Sequence, residues 1–215
     1  MENKSLILIL FVLFSSNLFC QTFFEGEIIY EIKIESKFPE ILSNEILTSK
    51  FGNIEEYFIK NGNYKIIFNG KEIKTQMYLS HENKIFTQYV NYPDSLYWIV
   101  ADNINDSIKE ILIIDDTTTT KVMGVNCKTI IMNLVSGSSY VYNYSEKYLV
   151  NIDLFKNHLY GNWYSYLELS HSLPLLIEVD NRFFKMTFTA KEIKNEKIKN
   201  NIFIIPIGTT LIEGK

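Results

Sequence analysis

Alternation of apolar and polar residues is the dominant pattern of this chain, and it predicts β-strands. From position 24 to position 35, apolar side chains alternate with charged ones. The same period of two recurs at positions 138–145, 173–179 and 183–190. Because successive side chains of a strand point to opposite faces, each stretch is predicted to have one buried and one wetter face.

Turn residues divide the middle of the chain into further strands. Asn61-Gly62 and Asn69-Gly70 separate apolar stretches at positions 55–60, 64–68 and 72–80. Asn-Gly is a strong hairpin signal, so we predict three adjacent antiparallel strands here. The remaining strand predictions cover positions 84–90, 96–100, 108–114, 124–134 and 202–207. The chain thus contains about eleven strand candidates.

Helical spacing is found in two places. A short helix is predicted after Pro39, because proline suits the first turn of a helix. A second helical region is predicted to begin at Asn151, a common capping residue, and to reach Gly161. It continues through an aromatic stretch that contains Trp163 and Tyr166. We expect this aromatic crossing, which joins two predicted strands, to cover one face of the sheet.

The predicted fold class is therefore mainly β (α+β), a strongly curved antiparallel sheet or open β-barrel with a helical lid. A length of 215 residues fits one domain, and a hydrophobic share of 47% suffices for a core. The aromatic share of 14% also favours sheet, because aromatic side chains pack well on pleated surfaces. We predict a single domain at positions 21–215.

Residues 1–20 have the pattern of a secretory signal peptide. Lys4 precedes an apolar run at positions 6–14, and polar residues follow it. The run is too short to span a membrane. Cleavage after Cys20 would leave the mature chain to begin at Gln21, and periplasmic export is then the default. The alternative is lipidation of Cys20, which is disfavoured because Phe19 is bulky where a lipidation signal has a small residue.

Residue chemistry gives no sign of catalysis. Cys127 would be the only cysteine of the mature chain, so no disulfide forms within it, and its predicted strand position favours a small buried hydrophobe over a reactive thiol. The three histidines, His81, His158 and His171, lack metal-ligand spacing and are predicted to lie at the surface or in loops. We predict a protein that is not an enzyme, with no catalytic residues, metal or cofactor.

Two observations bear on binding. A net charge of −4 offers no electrostatic attraction to nucleic acid. Tyr140, Tyr142 and Tyr144 are two positions apart and are predicted to stand on one face of a strand. Such a row is compatible with two interpretations, cross-strand packing on a sheet face or the lining of a ligand cavity.

Several short motifs carry a family resemblance. They are F-x-G-x-I-x-Y at Phe24, Gly26, Ile28 and Tyr30, G-x-x-C-K at Gly124, Cys127 and Lys128, Leu173-Pro174-Leu175, and a closing strand with Phe203 and Pro206. With the aromatic crossing, they make the chain resemble envelope proteins of Gram-negative bacteria related to the LolA/LolB lipoprotein-carrier superfamily, especially a secreted branch. The resemblance covers nearly the whole mature chain.

A second family is also similar in one segment. Positions 173–179 resemble the G-L-P-G-L-I box of another secreted envelope family, but Ser172 and Leu175 stand where that box has glycines. We rank this family second.

The carrier resemblance implies an incomplete barrel whose concave apolar face receives acyl chains beneath a helical lid. On that expectation, five aromatic residues are predicted to line the cavity: Trp98, Tyr140, Tyr142, Trp163 and Tyr166. The expected function is binding of a lipid or lipoprotein acyl chain, as carrier or sensor, by a periplasmic or outer-membrane-associated monomer that also has an envelope protein partner. The alternative is a structural or interaction module whose core is filled by its own side chains.

Overall fold

The computed structural model describes residues 22–115 and 120–214. The predicted signal peptide and Cys20 lie outside these residues. The described parts contain thirteen strands and two short α-helices. The strands are β1 (Gly26–Ser36), β2 (Ile54–Lys60), β3 (Asn63–Phe68), β4 (Ile73–Leu79), β5 (Lys84–Tyr89), β6 (Ser95–Val100), β7 (Ile108–Ile114), β8 (Thr120–Val122), β9 (Val125–Leu134), β10 (Ser139–Leu149), β11 (Ser172–Asp180), β12 (Phe184–Asn195) and β13 (Thr210–Glu213). The helices are α1 (Asn44–Phe51) and α2 (Trp163–Ser170).

The strands form one open sheet. Their order is β13-β6-β5-β4-β3-β2-β1-β12-β11-β10-β9-β7, and β8 pairs with β9 beside this path. Neighbouring strands are antiparallel except for β13, which runs parallel to β6. Because β13 and β7 stand at opposite ends of the order, the sheet does not close into a barrel. The predicted mainly β fold with a helical element is confirmed.

The sheet is strongly curved. Tyr64 on β3 and Tyr140 on β10 line the same hollow, although five strand spacings separate their strands. In a flat sheet those five spacings would amount to about 24 Å. The sheet therefore bends around the hollow and gives the molecule a concave and an outer face.

Two Asn-Gly pairs form different connections. Asn61 and Gly62 have φ angles of 47° and 75° and make the predicted two-residue turn between β2 and β3. Asn69 instead uses its side-chain oxygen to accept hydrogen bonds from the backbone N–H groups of Asn53 and Ile54, at 2.9 and 3.0 Å. The loop between β3 and β4 is longer than a hairpin turn because it packs against the end of α1.

The first helix begins later than predicted. Ser43 caps α1 by accepting a hydrogen bond from the backbone N–H of Ile46, so Pro39 lies before the helix rather than in its first turn. Leu47 is the buried residue of α1, and it packs against Ile34 of β1 and Met186 of β12. This helix covers one end of the concave face.

The aromatic crossing between β10 and β11 covers another part of that face. Asn151 caps a single 3₁₀ turn (Ile152–Phe155), a second such turn follows at Tyr160–Asn162, and α2 comes next. The predicted two-turn helix that ends at Gly161 is wrong, because a single 3₁₀ turn ends at Phe155 and the residues from Lys156 to Leu159 form a turn and an irregular segment. The carbonyl of Ala101 after β6 accepts hydrogen bonds from this crossing.

A smaller core lies on the outer face. Its buried residues are Met77, Leu79, Phe86, Leu96, Ile198 and Phe203. The last two belong to the C-terminal segment, which packs over β4, β5 and β6. The predicted strand at positions 202–207 is wrong: a 3₁₀ turn (Asn200–Phe203) and an irregular segment occupy this region, and the final strand is β13.

Candidate functional site

A hollow of about 200 Å³ lies between the concave face and the aromatic crossing. Aliphatic residues of β11, together with Phe188 of β12, form one part of its wall. Six aromatic side chains form most of the remainder: Tyr30, Tyr57, Tyr64, Tyr140, Tyr142 and Trp163. The hollow also has one ionisable carboxyl group, that of Glu55.

The period of two along β1, β2 and β3 places three of these tyrosines side by side. Tyr30 of β1 is paired with Glu55 of β2, and Tyr57 follows Glu55 on the same face. The rings of Tyr57 and Tyr64 stack with centroids 5.4 Å apart. One wall of the hollow is therefore a continuous row of rings on neighbouring strands.

The opposite wall is built where β10 meets α2. Tyr140 and Tyr142 stack at 5.9 Å, which confirms that they share one face of β10. Tyr142 also stacks on Tyr166 at 4.1 Å, and Trp163 lies 5.4 Å from Tyr166. Tyr144 meets Tyr166 edge-on at 6.3 Å. β10 and α2 thus pack against each other through these aromatic rings.

The structure brings together four of the five residues that were predicted to line the cavity. Tyr140, Tyr142 and Trp163 line the hollow, and Tyr166 is fully buried behind Tyr142. Trp98 lies elsewhere. It packs in the outer core and pairs with Phe86, and the ammonium group of Lys84 lies 4.0 Å from its ring centroid. The rings of the tyrosine row pack against one another and on Tyr166, and those of Tyr140 and Tyr142 also line the hollow.

Glu55 was not singled out by sequence reasoning, and it is the most unusual residue of the site. It is only 6% exposed. Its carboxyl group makes no hydrogen bond or ion pair with any other residue in the described ranges. Burial alone raises the pKa of this carboxyl group to about 8, because the charged form loses its hydration. Near neutral pH, Glu55 is therefore mostly protonated.

Hydrogen bonding is incomplete among the wall residues. The Tyr30 hydroxyl donates to the carbonyl oxygen of Pro174 at 2.7 Å. In contrast, the buried Tyr57 hydroxyl and the buried indole N–H of Trp163 have no hydrogen-bond partner among the described residues. Most buried polar groups in proteins are paired, so this part of the core departs from the usual pattern.

His158 closes one side of the site from the crossing. His158 lies in an irregular part of the crossing, as the loop prediction has it, but it is not at the surface: its ring is buried, and its Nε2 atom is hydrogen-bonded to the Tyr64 hydroxyl at 2.9 Å. Its ring also packs 4.4 Å from that of Tyr78. Burial lowers the pKa of His158 to about 4, so the imidazole stays neutral at physiological pH.

A second, larger hollow of about 660 Å³ continues the concave face toward β5 and β6. Gln76, Ile85 and Tyr97 are among its wall residues, and Tyr160 of the crossing contributes from above. Gln76 of β4 is paired with Ile66 of β3, which belongs to the wall of the first hollow. The two hollows are therefore neighbours on one face.

Other chemistry in the described ranges is limited. No group of three or more His, Cys, Asp or Glu side chains that could hold a metal ion occurs among the residues that the structure describes. Nor is any helix in the described ranges long and apolar enough to cross a membrane. Cys127 is fully buried, as predicted for a small hydrophobe, and burial raises the pKa of its thiol.

Comparison with known proteins finds likeness to solved structures. No family model matches the chain, and no curated protein matches it. Among solved structures, an uncharacterized conserved protein from Thermus thermophilus is similar, with a TM-score of 0.45 and 4% sequence identity over 88% of this chain and 91% of that one.

Proposed function

We propose that this protein is a non-enzymatic envelope protein that binds the acyl chain of a lipid or lipoprotein on its concave face, as a carrier or a sensor. One observation carries the proposal: a hollow of about 200 Å³ with aromatic and aliphatic walls lies beneath the crossing. The signal-peptide pattern supports export to the periplasm or the outer membrane. The resemblance to lipoprotein carriers supports the ligand class.

The size of the hollow sets what it can hold. A cavity of about 150 Å³ accommodates benzene, so the hollow of about 200 Å³ has room for roughly six carbons of a chain. At about 0.8 kcal/mol per buried CH₂ group, six carbons gain about 5 kcal/mol. Association costs a similar amount, so a short chain binds weakly. A longer chain would continue into the neighbouring hollow, and affinity is expected to rise with length.

The test is binding of fluorescent fatty acids to delipidated protein, with chains of about six to about sixteen carbons. We expect saturable binding that strengthens with chain length. Val179→Trp should weaken binding, because Val179 lines the hollow beside Tyr140 and the larger side chain fills the space. Val141→Trp is the matched control, since Val141 is on the opposite face of the sheet.

Two results would overturn the proposal. One is the absence of saturable binding at every chain length, both for the fatty acids and for uncharged 1-alcohols of the same lengths. The other is equal binding by Val179→Trp and the unmodified protein, because the ligand would then lie elsewhere. Native mass spectrometry of protein purified from its own envelope gives an independent readout, since a bound lipid adds its mass.

The second candidate function is a structural or interaction module of the envelope, and the edge of the sheet favours it. Ile111, Leu112, Ile113 and Ile114 of β7 are 38–51% exposed. An apolar edge strand with free backbone groups is a template for pairing with another chain. This candidate predicts a protein partner that crosslinks to β7 in cells and is lost in Ile113→Lys. It also predicts that no lipid copurifies.

A further inference from the structure

The hollow is a ring-lined site with a single acidic group. Among its described wall residues, Glu55 alone has a carboxyl group, and none has a basic group. Its neighbours across the strand pairs are Tyr30 on β1 and Phe68 on β3. Tyr57 follows on the same strand, and Trp163 faces the hollow from the crossing. No basic side chain lines the described wall.

This combination is selective for the charge of a ligand. Faces of aromatic rings carry negative potential and attract cations, most strongly where water is excluded. A carboxylate in the same site attracts a cation and repels an anion. The net charge of −4 acts in the same direction over a longer range.

We infer that the ligand of this hollow is an amphiphile with a cationic ammonium group, which binds between the Glu55 carboxylate and the surrounding rings while its alkyl part follows the concave face. The inference rests on the proposed function, because it names the polar group of the ligand that the hollow takes. It assigns Glu55 as the specificity-determining residue. A quaternary ammonium fits best, since it needs contact with rings rather than hydrogen-bond acceptors.

The ionisation of Glu55 makes the inference measurable. Burial raises the pKa of Glu55 to about 8, so a cation that binds below that pH must displace a proton. Burial also raises the pKa values of the tyrosines that face Glu55, namely Tyr30, Tyr57 and Tyr64, so they stay neutral in this range. His158, which is bonded to Tyr64, has its pKa lowered to about 4 and is already neutral at the acidic end of this range.

Cation affinity is therefore expected to rise about tenfold per pH unit from about pH 6 to about pH 8, and then to level off. One proton should be released per bound cation below about pH 8. A neutral ligand of the same length should bind with little dependence on pH, because it does not require Glu55 to ionise.

The experiment compares hexyltrimethylammonium, 1-hexanol and hexanoate by isothermal titration calorimetry between about pH 6 and about pH 9, in two buffers that report proton release. The quaternary ammonium keeps its charge throughout, so its pH dependence reports on the protein. Glu55→Gln removes the carboxylate and retains its shape. Glu56→Gln is the matched control, because Glu56 lies on the opposite face of β2.

Tightest binding by the ammonium compound, with a pH dependence that Glu55→Gln abolishes and Glu56→Gln preserves, supports the inference. Equal, pH-independent binding of the ammonium compound and hexanol overturns it and leaves the proposed function intact. Tightest binding by hexanoate overturns it as well. Binding by none of the three, together with failure of the longer fatty acids, overturns the proposed function and the inference with it. Should Glu55→Gln fail to fold, the pH dependence of the unmodified protein still decides.

Discussion

Replacing Glu55 by glutamine should change how the stability of this protein depends on pH. In the unfolded chain a glutamate loses its proton near pH 4.5, whereas burial raises the folded pKa to about 8. Between these values the folded state holds one more proton than the unfolded state. The free energy of unfolding contributed by this group therefore falls by about 1.4 kcal/mol for each pH unit of increase.

His158 acts in the opposite direction over part of this range. Its pKa falls from 6.5 when unfolded to about 4 when buried, so between these values the unfolded state holds the extra proton. The contribution of His158 to the free energy of unfolding therefore rises by about 1.4 kcal/mol for each pH unit of increase. The two slopes cancel from about pH 4.5 to about pH 6.5, and above that range the Glu55 slope acts alone.

The expected loss between pH 6.5 and pH 8 is about 2 kcal/mol, from a span of about 1.5 units. In Glu55→Gln this loss should disappear, and the His158 slope should emerge as a rise of about 3 kcal/mol between about pH 4.5 and about pH 6.5. The assay is urea unfolding followed by tryptophan fluorescence at constant ionic strength, which yields the free energy of unfolding at each pH.

The control for this prediction is Glu56→Gln, which should keep the fall above pH 6.5 because Glu56 is outside the hollow. The pKa values of the surface glutamates Glu31 and Glu45 are lowered, so these groups titrate below this window. If the free energies of unfolding of Glu55→Gln and of the unmodified protein change in parallel from about pH 6.5 to about pH 8, the carboxyl group is solvated in the folded state. That result would refute the pKa shift that is ascribed to burial of Glu55.

Two further predictions concern packing. Gly62→Ala should destabilise the protein by more than Gly137→Ala in the same urea assay. Both glycines have left-handed φ angles, in which an alanine costs about 1 kcal/mol, but a Cβ at Gly62 would also lie 2.5 Å from Leu154 of the crossing, whereas one at Gly137 meets nothing within 4 Å. Equal losses of stability in the two variants would contradict the contact with Leu154. The thiol of Cys127 should react with Ellman's reagent only after unfolding, because it is fully buried, and rapid reaction of the native protein would contradict that burial.

The sequence predicts the tyrosine row because a period of two is a local property of a strand. Tyr140 and Tyr142 share a face whatever the rest of the chain does, and the aromatic crossing that follows β10 had to cover some apolar surface. The face of Trp98 could not be predicted in the same way. Both faces of β6 are apolar, and the outer one is buried by Ile198 and Phe203, which lie far along the chain in the C-terminal segment.

Glu55 escaped prediction for a related reason. In the stretch Ile54–Lys60, Glu55 shares a face with Tyr57 and Ile59, while Glu56 shares the other with apolar residues as well. With one glutamate on each face, alternation does not indicate which of the two is buried. Only the curvature of the sheet, which brings β10, β11 and the crossing over β2, removes water from one of these carboxyl groups.

Stability and binding should report the same property of Glu55. The upper end of the stability loss and the pH at which cation affinity levels off are both set by the pKa of this carboxyl group in the folded, ligand-free protein. The two experiments use different perturbations. The pH at which the stability loss ends and the pH at which cation affinity levels off therefore agree near pH 8 only if one buried group controls both. If the stability loss ends near pH 8 but cation binding is independent of pH, the cation binds away from Glu55. Agreement would tie the charge of the ligand to the ionisation of the Glu55 carboxyl group.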